Sequence, residues 1–179
     1  MSLYIIYKIA ILFPYYSISP GGRGQGEGEL IPPFWREIAM DNKIKEAIFR
    51  QVKKEPFAQK FGLKLIELDE GYSKVEMNFT QDMENIFGIA HGGTLFAIID
   101  EAFETASNSH GTVAVALNMN VTYISSPSRG CKLIAEAREF SLTNKTASYD
   151  IKVFDEQDNL IASCQALVYR KGKPLPFLE

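Results

Sequence analysis

The chain is poor in the residues that build metal centres and covalent staples. Its 179 residues include only two cysteines and two histidines. There is no CxxC pair and no histidine or cysteine spacing of the kind that holds structural zinc, so no metal site is expected. Cys131 and Cys164 each fall inside a strand-like run and read as small buried hydrophobes, kept reduced in the cytosol. A basic excess is missing too. Nineteen Lys and Arg against 22 Asp and Glu give a formal net charge of -3 and a pI near 5.5, which argues against a phosphate-tracking nucleic-acid binder. The apolar leader Leu3 to Tyr16 is interrupted by Lys8 and Pro14 and is too short to span a bilayer. It also lacks the basic start and small-residue cleavage site of a secretory signal, since Ser19-Pro20 and a glycine-rich stretch follow it. The expectation is a cytoplasmic protein with neither nucleic acid nor membrane as partner.

What is present suits a globular fold. Hydrophobic residues at 46% and charged residues at 23% set the chain apart from disordered and fibrous sequences, and its length is enough to bury a core without staples. Residues 1–39 read differently from the rest. They form a flexible appendage, a strand added to a partner, or sequence upstream of a true start at Met40. Residues 40–179 read as a single domain.

Within it, Ile44, Ala47, Ile48 and Val52 recur at helical spacing after a capping Asp41 or Asn42, which predicts an amphipathic helix to about Glu55. Leu63–Leu68 and Tyr72–Phe79, separated by Asp69-Glu70-Gly71, predict a β-hairpin. Thr94–Ser107 is apolar on nearly every side and predicts a buried helix, closed by Gly111. Four further runs, 113–124, 132–142, 146–154 and 160–169, have short turn-like separators and read as an antiparallel meander. Hairpin, apolar helix and meander together make an α+β layout, a five- to six-stranded antiparallel sheet wrapped around one long buried helix. Such a sheet keeps edge strands that need charge or a second subunit, so a homo-oligomer is expected.

Three features carry chemistry. His91-Gly92-Gly93 stands where a loop becomes the buried helix, and the first N–H groups of a helix have no internal partner and can receive a developing oxyanion. Alone, the triplet reads equally as a cap and a tight turn. Asp100 places a carboxyl in the middle of an apolar helix, which is costly unless the group is paired or used. It either lines a cleft and activates water or points to a solvent-filled edge with Glu101 and Glu104. Asn85, six residues before His91, has a donor and an acceptor for a carbonyl or a water.

The joint spacing of Asn85, His91-Gly92-Gly93 and Asp100, continued by Asn108-Ser-His-Gly111 and by Tyr123-Ile-Ser-Ser-Pro127-Ser-Arg129-Gly130, resembles the hot dog fold thioesterases of the phenylacetic-acid-degradation (PaaI-like) type. The resemblance covers roughly Phe57 to Arg170. It implies hydrolysis of acyl-CoA with no metal or redox cofactor, in a dimer or dimer of dimers with sites between subunits. It also implies that the Gly92 N–H and Asn85 hold the thioester carbonyl, that Asp100 of the other subunit activates water, and that His91 assists near the sulfur and fixes the loop. Gly93 and Phe87 would lie at the substrate, and Arg129 and Lys145, in turns where relatives receive CoA phosphates, would meet its anionic end. Relatives carry a serine or threonine on the strand after the helix where this chain has Ala116. Asn118, two residues on and on the same strand face, is the expected substitute. Phe87, Phe96 and Phe103 line an acyl pocket or fill the core. A 3-hydroxyacyl dehydratase of the same fold and a non-enzymatic acyl-CoA-binding module are the competing readings.

Overall fold

The structure, a computed structural model, describes residues 40–178; the readings of residues 1–39 lie outside them. Helix α1 (Asn42–Val52) begins where the Asp41 carboxylate accepts from the Lys43 N–H at 2.8 Å, which satisfies one of the free donors of the first turn. It buries Ala47, Ile48 and Val52. The helix stops short of Glu55, and a second helix, α2 (Pro56–Phe61), follows at once, with proline in its first turn and left-handed Gly62 as its stop. Six residues are too few to show a helical period, which is why α2 does not stand out in the sequence.

The hairpin forms as expected, with β1 (Lys64–Asp69) and β2 (Tyr72–Asn78) joined through Gly71. Glycine is required there twice over. Its φ is +69°, and a Cβ would come within 2.9 Å of the Cβ of Glu139. The other strands are β3 (Thr112–Tyr123), β4 (Lys132–Leu142), β5 (Thr146–Asp155) and β6 (Leu160–Pro174). All pairings are antiparallel, in the order β1-β2-β4-β5-β6-β3.

That order corrects the four-strand meander. β4, β5 and β6 are consecutive neighbours, but β3 lies at the far edge against β6, and β4 pairs with β2 instead. The link through residues 124–131 crosses three strand spacings, roughly 14 Å. A segment of that length spans this distance easily, whereas a tight turn would not. Non-local pairing of this kind leaves no local sequence signal.

Helix α3 (Gly92–Asn108) lies against the sheet and supplies Leu95, Ile98, Ile99, Ala102, Phe103 and Ala106 to the core. It meets Val75, Leu133, Ile151 and Val168 from the strands, all at most 1% exposed. Alanines at 97, 102, 106, 135, 137 and 162 leave the helix and sheet little side chain to separate them. Phe103 packs edge-on to Tyr149 with centroids 5.4 Å apart, the arrangement that aromatic quadrupoles favour. The helix ends at Ser109 rather than Gly111, which sits two residues further on in a left-handed turn.

A polar lattice pins this end of the helix. The Gly71 N–H donates to Ser109 Oγ at 2.7 Å, and Ser109 Oγ donates to the Ala106 carbonyl at 2.7 Å. His110 lies between Glu70 (3.2 Å) and Glu139 (2.7 Å), and the Tyr149 hydroxyl donates to the same Glu139 oxygen at 2.6 Å. Cys131 and Cys164 are buried and unpaired with each other; burial pushes both thiols up, that of Cys164 to about 11. Among the described residues no helix is long and apolar enough to cross a membrane.

Candidate active site

The loop before α3 is held by its own polar groups. Asn85 Oδ1 accepts from the Phe87 N–H at 2.9 Å and the Ile89 N–H at 3.4 Å, and its amide donates weakly to the Ala90 carbonyl at 3.5 Å. The Asn85 oxygen is thus spent on shaping the loop, and one amide N–H is left over. Shaping of this kind puts Ile86 and Phe87 outward, 93% and 79% exposed. Glu84 and Ala90 close the loop as a β-bridge. Arg129 clamps Glu84 from the β3–β4 link with two bonds, 2.6 and 2.9 Å, so the expected phosphate ligand is engaged in an ion pair, and its third nitrogen has no partner among the described residues. The pairing spans 45 residues, which no local pattern reveals.

His91 is the N-cap of α3. Its Nδ1 accepts from the Gly93 N–H at 2.9 Å, and its own carbonyl accepts from Thr94 and Leu95. Gly93 is therefore committed to the histidine, and a Cβ there would sit 3.0 Å from His91 Nδ1. The Gly92 N–H, by contrast, donates to no described group. The Gly92 N–H, the one expected at the carbonyl, is thus without a described acceptor, while that of Gly93, expected beside the substrate, is taken. Tyr123, at the end of β3, closes over this turn, its hydroxyl donating to the Gly92 carbonyl at 3.1 Å.

Asp100 lies on α3 about two turns further along. It is partly buried, makes no hydrogen bond or ion pair with any described residue, and burial pushes its carboxyl up. It lines a recess of about 280 Å³ with Phe103, Glu104, Asn108, Val115 and Ala116. This recess shares Glu104, Asn108, Ala114 and Val115 with a larger cleft of about 820 Å³, walled by Ile48, Val52, Val113, Leu175 and Phe177 and containing Glu55 and Glu101. Glu101 is 3% exposed, its Oε1 has no partner among the described residues, and burial first, then Glu55, Glu104 and Asp100, push its carboxyl up to about 8. Glu55 is pushed up by burial and by Asp100. Glu104 reaches the surface, but protein atoms crowd it in the cleft, and burial, Glu55 and Asp100 raise it as well. Glu55, Glu101 and Glu104 thus share the larger cleft and Asp100 lies in the adjoining recess, with no cation paired to any of the four among the described residues. Glu55 carries no local signal of a place in the site, because only the fold brings the α1–α2 junction to α3. No group of three or more His, Cys, Asp or Glu among the described residues is arranged to hold a metal ion.

Ala116 does line the recess beside Asp100, but Asn118 does not share its face. A β-bulge between Ala116 and Asn118 inserts Leu117, so Ala116 pairs with buried Val168 while Asn118 pairs with Leu167 on the opposite face. The bulge breaks the two-residue alternation that would put residues 116 and 118 on one face. Lys145, in the β4–β5 turn, makes no ion pair with any described residue and holds its ammonium 6.0 Å from the Tyr169 ring centroid. Through Thr146 and Tyr169 it lies level with Val115 at the start of β3, the Asp100 end, while Gly92 lies at Tyr123, the other end. Phe103 is core, 2% exposed, and also borders the recess.

A family model described as the thioesterase superfamily matches residues 87–162. The acyl-coenzyme A thioesterase PaaI of Escherichia coli is 30% identical over 133 residues, which cover 74% of this chain and 95% of that protein. A protein of Archaeoglobus fulgidus, described provisionally as an esterase, is 36% identical over 141 residues, 79% of this chain and 90% of its own. The solved structure of the Escherichia coli protein, from the phenylacetic acid degradation operon, matches with a TM-score of 0.72 at 29% identity, covering 75% of this chain and 98% of that one. The chain therefore belongs to the thioesterase superfamily. Its six-stranded sheet and long central helix are the hot dog fold of the PaaI type, and the protein is a thioester hydrolase.

Proposed function

We propose that the protein hydrolyses acyl-CoA thioesters to the free acid and CoA, as a homodimer or a dimer of dimers whose sites lie between copies. One observation carries this reading: α3 presents an unpartnered Gly92 N–H at its start and an unpaired, partly desolvated Asp100 two turns on. Eight residues of helix separate them by roughly 12 Å along the axis. A carbonyl held at Gly92 and a water held at Asp100 of the same helix cannot meet, so the pair acts across two copies. The outward Ile86 and Phe87 and the long exposed edge of β3 support that cover.

In this arrangement the Gly92 N–H, aided by the positive end of α3 and the spare Asn85 amide proton, holds the thioester carbonyl. Asp100 of the other copy takes a proton from water as the oxygen attacks the carbonyl carbon. His91 lies near the departing sulfur, and the acyl group enters the cleft beside Asp100. Phe87 borders the substrate, and Arg129 and Lys145 meet the CoA phosphates, one from each copy.

A panel of acyl-CoA thioesters, aryl and alkyl, assayed by free-thiol release tests the reading. The parent is expected to hydrolyse at least one, with Asp100→Ala slower in kcat by about 10² to 10⁴. Since the base must be ionised and burial raises the Asp100 carboxyl, kcat/KM is expected to fall with acid at a pH above the usual aspartate range. No hydrolysis of any member by the parent defeats the proposal.

A further inference from the structure

One group at the start of α3 has no role in the reaction as drawn above: the hydroxyl of Tyr123. It donates to the Gly92 carbonyl at 3.1 Å. That carbonyl and the Gly93 N–H belong to the same peptide unit, and the Gly93 N–H in turn donates to His91 Nδ1 at 2.9 Å. The three groups form an unbroken line: phenol O–H to C=O, then N–H to imidazole. Hydrogen bonds arranged in series polarise one another, so the phenol makes the peptide a stronger donor to the ring. The ring of Tyr123 is seated by the same contact. A Cβ at Gly92 would meet its Cζ at 3.3 Å and its hydroxyl oxygen at 3.4 Å, so it packs directly over the glycine.

The effect on His91 follows from imidazole chemistry. A ring nitrogen that accepts a hydrogen bond carries no proton, so the neutral ring is held with its proton on Nε2. Nε2 has no partner among the described residues. We propose that Tyr123 is a positioning residue which, through the Gly92–Gly93 peptide, fixes His91 as the Nε2–H tautomer and delivers a defined donor beside the free Gly92 N–H. The inference rests on the proposed function for the use of that donor, near the thioester sulfur, but not for the relay itself. It also gives the far edge of the sheet a connection to the reacting end of the helix, since Tyr123 closes the β3–β6 pairing opposite Ala162.

Tyr123→Phe keeps the ring over Gly92 and removes only the hydroxyl, and at 51% exposure the position tolerates that loss. Imidazole nitrogen chemical shifts of the whole chain report the tautomer directly. The sequence has only two histidines, and His91→Gln shows which pattern is that of His91. The parent is expected to show the Nε2–H form, and Tyr123→Phe a mixture with the Nδ1–H form. With an acyl-CoA of the panel that the parent hydrolyses, kcat is expected to fall about five- to tenfold with KM changed less than about twofold, the scale of one hydrogen bond. An identical His91 pattern in parent and Tyr123→Phe overturns the relay whatever the kinetics. A changed pattern with unchanged kcat overturns its part in the reaction. A parent that cleaves no thioester sinks the functional reading, while the nitrogen shifts still decide the relay.

Discussion

Helix α3 borders two groups of carboxyls that receive opposite treatment. At its C-terminal end Glu139 accepts from Tyr149 and bonds His110, and Glu70 bonds the other nitrogen of the same ring. In its middle Glu55, Asp100, Glu101 and Glu104 line a cleft and the recess adjoining it and pair with no described cation. Composition does not distinguish the two groups; partnership does. Buried polar atoms with all their bonds made rigidify a fold, whereas buried acids left without them cost stability and are kept where a ligand or a reaction uses them. The first group ties the helix to the hairpin and to β4, and the second includes Asp100, the proposed water activator.

The comparison can be broken most severely at Glu101. A carboxyl raised from 4.5 to about 8 in the folded chain holds its proton there while the unfolded chain has lost it. Its favourable contribution is complete below about 4.5 and disappears as pH climbs through about 8. By linkage this amounts to roughly 5 kcal/mol across the window. Denaturant midpoints are expected to fall from pH 5 to pH 9 in the parent and to fall much less in Glu101→Gln; parallel curves would remove Glu101 from the unpaired group. Glu139→Ala attacks the paired group. It strands the hydroxyl of Tyr149, a residue with no exposure, and is expected to cost about 2 to 3 kcal/mol in the same titration while kcat is kept. Lost turnover with unchanged stability would reverse the assignment of roles. Glu70→Ala sharpens the contrast from the other side. Its carboxylate is 52% exposed, so its bond to His110 is expected to be worth under about 0.5 kcal/mol, a change visible only in replicate melts.

Much of this was legible beforehand where the signal is local. The alternation in β2, β4 and β5, the all-round apolarity of α3 and the cap at Asp41 each stand in consecutive residues, and the elements fall within a few residues of expectation. The Asn85, His91 and Asp100 spacing was legible for the same reason. What escaped depends on residues distant in sequence. β3 reaches the far edge because β6 offers it a partner, the extra Leu117 turns Asn118 to the other face, and Arg129 finds Glu84 only after the β3–β4 link crosses the sheet. The burial of Glu101 was missed because a glutamate beside an aspartate on a helix looks like a solvated stripe until α1 and α2 are laid over it.

The two cysteines give the chain one more property. Both thiols are buried and held in their protonated form, one pushed to about 11, and the sequence contains no others. Thiolate is the species that attacks disulfide reagents. The native protein is therefore almost silent toward them, and a colorimetric thiol signal in its presence measures thiol released from an added thioester rather than the enzyme itself.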